Sequence, residues 1–149
     1  MTAAFLRRFP VSILVLSAIL ALQGATAAFA GLHPWLTRHF GVDWQTTASG
    51  QAYRFLVSPY FQHSPGFGGV NQVLILFVPL LEWRAGSRLT LAVFMLGDWF
   101  STIPTLVVLR IAGTWSASAM AAANTLDSGS SSAALAVVAA LAALLPWRP

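Results

Sequence analysis

The chain has 149 residues, of which 57% are apolar and only 8% charged, with a formal net charge of +4. Soluble domains carry about 25% charged residues, so this composition points to a membrane protein and away from an ordinary soluble enzyme. Cysteine is absent, which excludes a disulfide framework, a thiol nucleophile and a thiolate metal site. All eight basic residues are arginines with no run beyond Arg7-Arg8, so the positive balance reflects a shortage of acids and gives no sign of nucleic-acid binding.

The expected fold class is all-α, a polytopic membrane helical bundle of about four transmembrane helices forming one domain over residues 1–149. The first span is placed at about 11–30, where Val11 to Ala30 runs 20 residues without a charge, enough to cross a core of ~30 Å. Ala28-Phe29-Ala30 resembles a signal-peptide cleavage site, but the apolar stretch exceeds the roughly 7–15 residues of a signal h-region, and further spans follow.

Residues 31–66 form a long connection holding Trp35, Trp44, Tyr53, Phe55, Tyr60 and Phe61, together with all three histidines, 33, 39 and 63. Aromatic residues at this density fit a segment lying in the membrane interface. His33, His39 and Asp43 lack the helical i, i+4 spacing of familiar zinc ligands, so no metal site is read from them, and no cofactor motif is present.

The second span, at about 67–83, carries Asn71 and Gln72 in its first turns and ends on Glu82-Trp83-Arg84. Polar residues at such depth face the bundle or a water-filled cavity. The Ala85-Gly86-Ser87 turn is short enough to make the third span, at about 89–109, an antiparallel neighbour. Asp98 lies near the middle of that span, where a lone charged carboxyl costs several kcal/mol, so it is expected to be protonated or partnered.

A turn of small polar residues, Asp127-Ser128-Gly129-Ser130-Ser131-Ser132, leads into the fourth span at about 131–147. Alanines 133, 136, 140 and 143 lay a stripe of small side chains along one face, allowing a neighbouring backbone to approach closely. Ser131 is expected at the helix N-terminus, where free N–H groups favour negative charge. Two readings follow: a nucleophile beside an oxyanion site, or a helix cap. Five arginines (7, 8, 84, 88 and 148) against three (38, 54 and 110) place the N-terminus in the cytoplasm of a multi-pass plasma-membrane protein. The connection 31–66 and the serine turn then share the outer side.

Several motifs occur in order: Tyr53-Arg54 opening a segment that ends Phe61-Gln62-His63, then Asn71, then Glu82 and Gly86, then Gly129-Ser130-Ser131-Ser132. Together they resemble the rhomboid family of intramembrane serine proteases. The resemblance implies peptide-bond hydrolysis in or near a transmembrane segment, with Ser131 as nucleophile in the G-x-S-G position. It implies that Asn71 donates to the oxyanion, that His63 shapes that site, and that Gly129 opens the nucleophile turn. Asp127 matches a variant with Asp two positions before that Gly. Arg54 and Glu82 read as structural. The chain departs from the family in having Ser132 where the motif ends in Gly, and in having no histidine after residue 63, where the family's base lies on a sixth helix. The alternatives are a catalytic fragment, a pseudoprotease, or an unusual role for His63. The competing class is a rhomboid-like scaffold that binds transmembrane segments without cutting them. A small transporter using Asp98 ranks last, because no inverted repeat is evident. The implied partners are the lipid bilayer and transmembrane segments of other proteins.

Overall fold

Pro10 starts the first helix at a position where its missing N–H is no loss. The structure, a computed structural model, describes residues 8–63 and 68–145. Its elements in chain order are α1 (Pro10–Ala28), α2 (Leu32–Phe40), α3 (Trp44–Ala48), α4 (Arg54–Val57) with a following 3-10 turn (Ser58–Tyr60), α5 (Gly69–Ala85), α6 (Ser87–Ala112), α7 (Ala117–Ala123) and α8 (Ser131–Ala143). The fold is all-helical among the described residues, with one isolated bridge pairing Val42 and Asp127.

Two helices, α1 and α6, are long and apolar enough to cross a membrane. The latter runs 26 residues, extending past both expected ends of the third span. The other two expected spans are shorter: α5 has 17 residues and α8 has 13, against the ~20 of a full crossing helix. Residues 67, 146 and 147, expected at the ends of these spans, lie outside the described residues. Large apolar side chains point outward on all four of these helices, among them Leu14, Leu76, Phe100 and Leu135.

The core joins α1, α5, α6 and α8 through Val15, Ile19, Leu74, Val78, Leu81, Phe94, Ala133 and Val137. The most extensive packing is between α6 and α8. The alanine stripe explains it: Ala133 is fully buried, and Ala136 lies so close to Gly97 that a Cβ added there would overlap its methyl. Ala140 packs at the edge of the core, whereas Ala143 is exposed at the end of the helix.

Glu82, near the end of α5, ties three helices together. Its carboxylate accepts the first-turn N–H groups of Val11 and Ser12 at 3.0 and 2.7 Å, the Ser12 hydroxyl, and the Ser87 hydroxyl at 2.6 Å. These are donors that a helix start cannot satisfy itself, and the negative charge complements the positive end of α1. Gly86 (φ +82°) then reverses the chain in a conformation that side chains disfavour.

The connection after α1 is a folded layer and not an open loop. Asp43 caps α3 in a reciprocal box with Thr46. Arg54 is 9% exposed and its guanidinium donates to the Gly41 carbonyl at 2.8 Å, the Arg38 carbonyl at 3.2 Å and Gln51 Oε1 at 2.7 Å. Arg54→Ala therefore orphans buried carbonyls and is expected to cost about 2 kcal/mol, with Arg54→Lys recovering only part, because Lys lacks the planar fork. Limited proteolysis within 38–54 checks this, and an unchanged digestion pattern would refute it.

Candidate functional site

The serine turn is held from two sides. From the connection, the Ser58 carbonyl accepts the Gly129 N–H at 3.1 Å, and Val42 and Asp127 exchange backbone hydrogen bonds at 2.8 and 2.9 Å. Gln62 Nε2 donates to Ser130 Oγ at 2.8 Å. The tightness at Gly129 is both conformational and steric: its φ is +129°, and an added Cβ would sit 3.2 Å from Gln62 Oε1. Glycine is required there on both counts.

The four serines of the turn have different environments. Ser130 is the N-cap residue of α8, yet its side chain makes no capping bond, and it is fully buried with its hydroxyl engaged by Gln62. Ser128 is 7% exposed and its hydroxyl has no partner. Ser131 is the first residue of α8 and is exposed, and among the described residues no hydrogen bond reaches its hydroxyl. Ser132 is partly exposed. The N-cap position is therefore held by Ser130, whose side chain does not cap, and among the described residues Ser131 Oγ has no partner at the N-terminal end of the helix dipole.

Asn71, in the first turn of α5, is 1% exposed, and among the described residues neither its amide nitrogen nor its amide oxygen has a hydrogen-bond partner. Buried amides are ordinarily paired, and an orphan of this kind calls for an explanation. Only five residues separate α5 from His63, whose backbone N lies 3.7 Å from the added Cβ position at Gly129. Asn71 and Ser131 thus lie in the first turns of two helices that pack together.

His63 Nδ1 lies 3.8 Å from Asp127 Oδ1, and both side chains are largely exposed. At that distance the contact is an ion pair when the imidazole is protonated and not a hydrogen bond. The other two histidines serve the fold. His33 Nε2 bonds the Gln62 carbonyl at 2.9 Å and His39 Nδ1 bonds the Trp35 carbonyl at 2.8 Å. His33, His39 and Asp43 are thus engaged separately and do not converge.

Gln62 was not singled out by sequence reasoning, although it stands beside His63 in the aromatic segment. Nothing local marks it, since its partner Ser130 is 68 residues away. Asp98 is 3% exposed and shares a small cavity with Asp127, Ser128, Thr102 and Ser131. The sequence places Asp98 near the middle of a long apolar helix but not beside these neighbours.

No protein-family model, curated protein or solved structure matches this chain.

Proposed function

We propose that this chain is a rhomboid-like membrane protein whose activity is hydrolysis of peptide bonds in or beside transmembrane segments, with Ser131 as the nucleophile. In this reading four helices, α1, α5, α6 and α8, cross the plasma membrane from a cytoplasmic N-terminus, and the connection 31–66 lies in the outer interface. The outward-facing apolar side chains of α5, α6 and α8 support a lipid surround.

The observation that carries the reading is that two packed helices start with an exposed, unengaged Ser131 and with a buried Asn71 amide that has no partner among the described residues. Ser131 Oγ attacks the scissile carbonyl, and the positive end of α8 together with the Asn71 N–H stabilises the oxyanion. A serine hydroxyl needs a base to be nucleophilic. His63, beside the turn and paired with Asp127, is the histidine of this chain nearest that role.

The second reading is a rhomboid-like scaffold that holds transmembrane segments without cutting them. One observation favours it: among the described residues Ser131 Oγ has no hydrogen-bonded base, and His63 faces Asp127.

Labelling of the detergent-purified protein with a fluorophosphonate probe separates the two. The protease reading expects covalent labelling that is lost in Ser131→Ala with no loss of thermal stability, because that side chain is exposed. Labelling should fall by about 100-fold or more in His63→Ala if His63 is the base. A folded wild-type protein that takes no label refutes the protease reading and leaves the scaffold.

A further inference from the structure

The strongest unexplained feature outside the nucleophile turn's own chemistry is the cavity beneath it. It has a volume of about 20 Å³ and lies between α6 and residues 127–132. That is room for about one water-sized particle. Its lining brings together two carboxyls, Asp98 and Asp127, with the hydroxyls of Thr102, Ser128 and Ser131.

Two of these groups are buried polar side chains without a protein partner. Asp98 is 3% exposed and no hydrogen bond or ion pair reaches it among the described residues. Ser128 is 7% exposed and its hydroxyl is likewise unpaired. A buried carboxylate without a counter-charge is costly, so such a group either keeps its proton or is paired with a cation or a metal ion. Nearby cationic side chains are engaged elsewhere: Arg54 is spent on backbone carbonyls, Arg110 contacts Met120, and His63 faces Asp127 from the exposed side.

We propose that this cavity is a binding site for a sodium-sized monovalent cation, with Asp98 as its charged ligand and Asp127, Ser128 and Thr102 completing an all-oxygen shell. The donor set contains no nitrogen or sulfur, which selects a hard cation. The volume admits a single dehydrated ion and leaves no room for the several waters that magnesium retains. Calcium takes 6–8 oxygens, whereas this site has one buried carboxyl and a second that is exposed and shared with His63. The bound ion bridges the middle of α6 to the turn that starts α8, so it orders the segment bearing Ser131. The proposal does not depend on Ser131 being a nucleophile.

The test is thermal unfolding of the full chain in detergent, with sodium chloride replacing choline chloride at constant ionic strength. Sodium at 100 mM is expected to raise Tm by about 3–6 °C in a saturable manner. Asp98→Asn is expected to abolish the response. If Asp98→Asn fails to fold, Ser128→Ala and Thr102→Val should each shift the half-saturating sodium concentration upward by about tenfold. Identical melting of the wild type in the two salts overturns the proposal. So does a full sodium response in Asp98→Asn, or half-saturation unchanged in both hydroxyl variants. A response to micromolar calcium with sodium silent overturns the monovalent assignment. Fluorophosphonate labelling plays no part in this readout, so the two functional claims fail separately.

Discussion

Glu82→Ala is expected to be the most damaging single substitution outside the core, lowering stability by about 3–4 kcal/mol. The carboxylate is 3% exposed and accepts from Val11 N, Ser12 N, Ser12 Oγ and Ser87 Oγ. Its removal leaves two backbone donors at the start of α1 that no other group in the turn reaches. Each orphaned buried donor costs about 1–3 kcal/mol, and the favourable interaction with the positive end of the helix is lost as well. Glu82→Gln should cost roughly half as much, since it keeps an acceptor oxygen but replaces the second with a donor facing donors. Ser12→Ala should cost only about 1 kcal/mol, because both backbone bonds remain. Denaturant titration in mixed micelles, followed by far-ultraviolet circular dichroism, ranks the three. A Glu82→Ala protein within about 0.5 kcal/mol of wild type would remove the carboxylate from its place as the cap of α1.

The second large effect belongs to the contact between α6 and α8. Gly97→Ala is expected to cost about 2–3 kcal/mol, although alanine is the better helix former by about 1 kcal/mol. The added methyl would overlap that of Ala136, and the next nearest atoms are the Cα atoms of Ala136 and Ala133. The clash is therefore with a methyl fixed to backbone, which has no rotamer through which to escape. The helices must separate, and the α6–α8 interface, the most extensive in the protein, loses its close packing. Ala136→Gly alone should cost about 1 kcal/mol through helix propensity and a lost methyl. The two substitutions together should be milder than their sum by at least 1 kcal/mol, roughly the coupling of two groups in direct contact. Strict additivity in that double-mutant cycle would show that the two positions do not touch.

Part of each effect is legible in the sequence. The alanine spacing at 133, 136, 140 and 143 announces a face for close approach, and that face meets Gly97. Glu82 reads as structural, and its carboxylate accepts from the start of α1 and from Ser87. The start of α8 at Ser131 and the depth of Asp98 were also readable, because small polar residues mark helix starts and charge is conspicuous in an apolar run. The short helices of 31–66 were not. Residues 32–60 carry no sustained apolar period, and their helices hold through a cap at Asp43 and the reach of Arg54 to carbonyls 13 and 16 residues earlier.

By itself the sequence determined the helical class, the apolar segments and the face that α8 presents, because composition and periodicity are local properties of the chain. Only the tertiary structure decided which serine is free, which is engaged by Gln62, and which carboxyl shares a cavity with Asp98. Those outcomes depend on contacts between residues about 30–70 positions apart, such as Gln62 with Ser130 and Asp98 with Asp127. A side chain's hydrogen-bonding state is set by whatever packing brings within about 3 Å, and no spacing along the chain encodes that distance.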